Sequence, residues 1–314
     1  ALIALAIPPF AWAVALRFIT GMAIAGVYPV GMKIVASWTT VNRGLAIGIL
    51  VGALTVGSAS PHLIAALQIG TDWRATMIAA SLLAAVGALV AFWAGGMGPH
   101  TESVSRFEWK KMTEAVTVRP LRLANGGYLG HMWELYAMWA WIGVFAAHSL
   151  AARHSDLTGL APLVAFAAIG MGGPASVIAG RLADRYGRTT ITTISMAISG
   201  SCCILAGFVF GAAPWVLFLF VSIWGFAIVA DSAQFSTAVS ELADTRFVGT
   251  QLTAQTAMGF LLTVASIQLM PILADIVSWR WTFAILALGP AAGIISMLRL
   301  RRDPASVALA HGRR

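Results

Sequence analysis

The sequence predicts an all-α polytopic membrane protein, and three observations carry that prediction. Only 10% of the 314 residues are charged and 59% are hydrophobic, with a mean hydropathy of +0.84. A water-facing domain needs roughly a quarter charged residues. Apolar runs of about 20 residues, the length a helix needs to cross a bilayer, recur along the whole chain. The basic residues alternate in side. One set of connections holds Lys33, Arg43, Arg106, Lys110, Lys111, Arg119, Arg122, Arg181, Arg185, Arg188, Arg246, Arg299, Arg301, Arg302, Arg313 and Arg314, and the other holds only Arg74, Arg153 and Arg280. This positive-inside bias puts the first set and the C-terminus in the cytoplasm, as expected of a multi-pass protein of the inner (plasma) membrane. The net charge of +8 therefore reports topology and not a nucleic-acid partner.

Taken in order, spans are expected near 10–36, 44–66, 74–97, 121–149, 158–180, 189–211, 214–238, 248–272 and 280–299, with residues 1–7 as the tail of an earlier span. The basic stretch within 98–120 reads as a cytoplasmic linker, dividing a 1–97 bundle from a 121–314 bundle with its tail. The two parts repeat. Asp72-Trp73-Arg74 opens one span and Ser278-Trp279-Arg280 opens another 206 residues later, while Arg43 and Arg246 mark equivalent turns 203 residues apart. Parallel repeats of this kind build two six-helix halves around a midplane site. On that offset the chain is expected to lack about 85–100 residues, or two to three helices, ahead of Ala1.

One stretch breaks the avoidance of charge. Residues 180–188 read GRLADRYGR between two strongly apolar runs. Gly180 and Gly187 let the chain leave one helix and turn into the next. Arg181, Arg185 and Arg188 hold the loop at the cytoplasmic surface. Asp184 adds little to topology, but the span starting near 44 offers its positive dipole end on the same side.

These features together resemble the major facilitator superfamily over essentially the whole chain. The nine residues match its loop motif G-x-L-A-D-R-x-G-R at every fixed position, and Arg17 to Gly21 resembles its fourth-helix R-x-x-x-G pattern. The resemblance implies two bundles that rock against each other. It also implies a latch made by Gly180, Arg181, Asp184, Arg185, Gly187 and Arg188 that closes the cytoplasmic side. The fifth span departs from the drug-antiporter pattern at Ser60-Pro61-His62-Leu63, which weakens that subgroup.

Ionisable groups inside a membrane cost about 2.5–3.5 kcal/mol each even on a lenient scale, so each is a site candidate. His131, Glu134, Met138, Trp141 and Phe145 share one helical face. They are expected to form a proton-responsive wall, with Glu134 as the coupling acid or, alternatively, as a structural partner of a neighbouring helix. Asp231 shares a face with Gln234 and either faces the same cavity or caps a broken helix. Arg17, on one face with Gly21, Ile24 and Tyr28, is the candidate anion binder.

The reading is a monomeric, proton-coupled secondary transporter of a small organic solute, an organic anion on the evidence of Arg17, in contact with the lipid bilayer. An uncoupled facilitator or a transport-dead membrane sensor is the alternative. No cofactor, metal set or catalytic constellation is expected: Cys202 and Cys203 are adjacent in one span and read as packing residues, and no phosphate-binding glycine loop occurs.

Overall fold

The computed structural model describes residues 2–6, 9–39, 41–67, 73–100 and 108–313. Asp72, Arg106, Arg314 and the 101–107 part of the expected linker lie outside the described residues. Among those described, all regular structure is helical. The α-helices are α1 (Leu2–Ala6), α2 (Phe10–Ala25), α3 (Tyr28–Trp38), α4 (Arg43–Ala66), α5 (Trp73–Ala94), α6 (Trp109–Thr117) and α7 (Arg119–Ala151), followed by α8 (Ala161–Gly170), α9 (Gly172–Tyr186), α10 (Arg188–Val209), α11 (Pro214–Ala230), α12 (Ser232–Leu242), α13 (Val248–Trp281) and α14 (Leu288–Arg301).

Seven helical segments among the described residues are long and apolar enough to cross a membrane. Three of them are broken helices that continue in the same span: α2 with α3, α8 with α9, and α11 with α12. A fourth, Thr245–Arg301, runs to 57 residues and contains both α13 and α14. Helix α7 is not among the seven. Its polar residues Asn125, His131 and Glu134 are all buried, so protein and not lipid surrounds them.

Prolines open α7, α8 and α11 at the first turn, where a missing N–H costs nothing. Helix α13 continues five residues past the expected end at 272 before the chain kinks at Ser278, whose φ of 62° is non-helical. The turn seats Trp281 against Gly207 and lets Arg280 Nε donate to the Gly207 carbonyl at 2.9 Å. The expected linker is partly a helix as well. Asn125 Nδ2 on α7 donates to the Ala115 carbonyl of α6 at 2.9 Å, and Gln251 Nε2 on α13 donates to Lys111.

The core lies in α7–α14, where Phe145, Trp224, Phe235 and Phe283 are fully buried. Helices α2 and α5 turn their apolar surfaces outward, as an element facing lipid can. The first half meets the second along α4. Its Gly44, Gly48 and Gly52, one turn apart, oppose Gly180, Ser176 and Gly173 of α9. A Cβ at Gly52 would stand 2.9 Å from the Gly173 carbonyl oxygen, and one at Gly180 would stand 2.5 Å from that of Gly44. This is the small-residue crossing that lets helix backbones approach in a membrane.

The seam makes a direct prediction. A side chain at Gly48 would overlap the Ser176 carbonyl, whereas nothing lies within 4 Å of a Cβ at Gly57. Gly48→Val is expected to destabilise the chain by about 1–3 kcal/mol through overpacking, and Gly57→Val to leave the unfolding midpoint in detergent near that of the parent. Thermal unfolding of the two variants side by side checks it.

Candidate functional site

Polar chemistry gathers in two places: at the basic end of the bundle, where α4 starts and α9 ends, and inside the second half.

At the basic end, Gly180 does not end a helix as expected: it lies within α9, which runs on to Tyr186, and its bare backbone admits α4 at Gly44. The chain leaves α9 only at Gly187, whose φ of 97° admits glycine readily, and enters α10 at Arg188. Helix α4 begins after Asn42, which is left-handed (φ 60°) and makes no side-chain cap. Its first N–H groups therefore need acceptors from elsewhere. Asp184 provides them from the other half: Gly44 N donates to Oδ1 at 3.1 Å and Leu45 N to Oδ2 at 2.9 Å. A carboxylate placed at a helix N-terminus gains both hydrogen bonds and the dipole.

Arg188, 1% exposed, holds that carboxylate in place. Its Nη2 lies 2.6 Å from Asp184 Oδ1 and 2.8 Å from Glu241 Oε1, its Nε donates to Glu241 Oε2 at 3.3 Å, and its Nη1 donates to Gln234 Oε1 at 3.1 Å. The C-terminal tail joins from below. Ala310 N donates to Glu241 Oε2 at 3.1 Å and Arg313 Nη1 to the Asp184 carbonyl at 2.7 Å. Arg181 and Arg185 stay outside this network on the exposed face of α9, with the Arg185 guanidinium 5.2 Å from the centre of the Tyr186 ring.

The second cluster sits inside the second half. Glu134 is 1% exposed and accepts three hydrogen bonds: from Ser199 Oγ at 2.9 Å, Cys203 Sγ at 3.2 Å and Trp224 Nε1 at 2.9 Å. The donors come from α10 and α11, so the acid points into its own bundle and away from the gap between halves. One turn earlier, His131 Nδ1 lies 2.9 Å from Asp231 Oδ1, both side chains being 1% exposed. Asp231 sits at the break between α11 and α12, but its side chain makes no cap and turns to His131 instead.

The expected pathway residues are thus not gathered in one wall. His131, Glu134 and Asp231 lie together inside the second bundle. Gln234 belongs to the Arg188 network. Trp141 donates through Nε1 to the Ile267 carbonyl of α13 at 3.0 Å and packs on Trp279, 5.4 Å between ring centres. Arg17 lies exposed on α2. Tyr28, partly buried, borders the gap between the halves, which narrows to about 20 Å³ between Tyr28, Thr55, Tyr128, Met132, Trp139 and Phe260.

Residues 128, 132 and 139 of α7 form a stripe on a different face from Glu134. The periodicity that picks out the charged face contains this one too, but none of its members carries a charge at neutral pH to mark it. Glu241 and Arg313 were also missed. Their partners lie 53 and 129 residues away, and no local pattern marks them.

Among curated proteins no relative matches the chain. The family model described as Major Facilitator Superfamily matches residues 1–266 and again 154–314, which together span the whole chain. The polytopic helical fold and this match lead to one conclusion: the chain is a membrane transporter and belongs to the Major Facilitator Superfamily.

Proposed function

We propose that the chain is a secondary active, proton-coupled transporter of a small organic solute, and that its basic end is the cytoplasmic gate. The observation that carries the reading is the Asp184 carboxylate spanning Gly44 N and Leu45 N, because it ties one half to the other at a single end of the bundle. Such a tie favours one of two states, and charge at a helix terminus is worth up to about 2 kcal/mol when partly buried. Alternating access then consists of releasing Asp184 while α4 pivots on α9. The sixteen basic residues expected on that side support its being cytoplasmic and the membrane's being the inner (plasma) membrane.

Glu134 is the coupling acid in this reading. As a carboxylate it accepts all three donors; once protonated it is itself a donor and gives up an acceptor site. Proton uptake therefore disturbs the contacts of α7 with α10 and α11, while the His131–Asp231 pair offers a second proton position a turn away. For the substrate, Arg17 continues the α2 stripe of Gly21 and Ile24 that leads to Tyr28. Those three residues, with Thr256 and Phe260 of α13, border a cavity of about 430 Å³. An organic anion would meet one guanidinium and then uncharged, largely apolar walls. One observation favours an uncoupled facilitator instead: every donor to Glu134 comes from its own half, as for an acid that only braces the bundle.

Two experiments test the reading. In proteoliposomes given a panel of small organic anions, substrate-evoked proton flux is expected to vanish in Glu134→Gln while solute exchange continues; solute uptake without proton movement in both proteins would leave a facilitator. Asp184→Asn removes the charge from the α4 terminus and is expected to raise the open population roughly 5- to 30-fold. The alkylation rate of Thr55→Cys, buried beside α9, reports that population. Cys202 and Cys203 are buried, so their background is slow.

A further inference from the structure

The outer face of the second half carries a groove that neither the seam nor the polar clusters use. Helices α9, α10 and α11 enclose about 410 Å³ there, walled by Ile178, Leu182, Ile191, Ile194, Ile223 and Phe226. Ile178, Leu182, Ile194 and Ile223 are each at least 40% exposed, so the groove opens outward to whatever surrounds the helices. In a membrane that is acyl chain.

The basic end of the groove adds specificity. Ile178, Leu182 and Arg185 are spaced by four and three residues, so the apolar stripe of α9 ends in a guanidinium, with Arg181 one turn above it. Both arginines are exposed. The ion pairs at this end of α9 run through Arg188, and among the described residues no carboxylate stands within ion-pair distance of Arg181 or Arg185. Tyr186, half exposed beside Arg185, is a residue that suits the headgroup level. Asp184 is turned the other way, onto α4.

We propose that this is a binding site for one anionic phospholipid of the leaflet at the basic end. One acyl chain fills the α9–α10–α11 groove and the phosphate lies between Arg181 and Arg185, whose forked donors match phosphate oxygens. A zwitterionic lipid shares the chain and the phosphate, but its own cation competes with the arginines. Preference for a net negative headgroup is therefore the signature of the site. The bound phosphate would also neutralise the two cations that flank Asp184 in sequence, without touching its contact with α4.

Native mass spectrometry of the full chain from micelles holding equal phosphatidylglycerol and phosphatidylcholine tests this. One phosphatidylglycerol is expected to stay bound preferentially. The double variant Arg181→Gln/Arg185→Gln should lower that preference about tenfold or more, since each basic residue contributes about a fivefold factor at an anionic surface. Ile194→Trp, which fills the groove and leaves the arginines intact, should release the lipid whatever its headgroup. Asp184→Asn should retain the preference even though it loosens the gate. Equal retention of the two lipids by the parent would overturn the proposal. So would an undiminished preference in the double variant, or complete displacement by glycerol 3-phosphate, which carries the headgroup chemistry with no chain.

Discussion

A carboxylate laid across the first turn of a helix from the other half of the molecule is the contact on which the rest of this structure depends. Asp184 supplies the acceptors that α4 lacks, because Asn42 enters the helix left-handed and caps nothing. For Asp184 to reach, the backbones of α4 and α9 must nearly touch, and the Gly44–Gly180 and Gly52–Gly173 approaches provide that. For it to stay aimed, a partner must hold it, and buried Arg188 does so from the next helix. Arg188 is in turn satisfied by Glu241 and Gln234, and Glu241 by the tail at Ala310. Each residue is there because the previous one would otherwise be a buried charge without a partner, at a cost of several kcal/mol.

The same rule governs the interior of the second half. A chain that crosses a bilayer cannot leave polar groups to water, so Glu134 collects Ser199, Cys203 and Trp224, and His131 collects Asp231. Helix α7 can afford to be the least apolar long helix because protein surrounds its polar residues. The gap between the halves is walled instead by tyrosines, Trp139 and Phe260. On the proposed reading this separates the tasks: the proton belongs within one bundle, and the solute to the uncharged walls between two.

Much of the fold was legible because the bilayer demands it. Length and apolarity fix where a helix can cross, and the arginine distribution fixes which ends lie together. The stretch at 180–188 stood out for the opposite reason, since charge between two apolar runs needs a cause, although all of it but Gly187 is helical. Helical periodicity told which residues share a face, but not which neighbour that face meets. Glu134 and His131 both lie buried inside the second bundle, and the stripe that meets the gap is the one through Tyr128, Met132 and Trp139. Gln234 was placed with Asp231 by the same arithmetic, but the helix breaks at Asp231, and Gln234 ends on Arg188. The support from Glu241 and Arg313 depends on contacts between distant segments, which no local pattern encodes.

Alternating access requires one end of the α4–α9 seam to open as the other closes. Spin labels at Val41 and Tyr186 report the basic end, and labels at Leu67 and Leu160 report the opposite end. Pulsed electron-spin distance measurements on liposomes, with and without a proton gradient and transported solute, read both. The account predicts that during turnover the Val41–Tyr186 distance lengthens as the Leu67–Leu160 distance shortens. It is contradicted if the basic-end pair keeps its distance while solute crosses, or if both pairs lengthen together.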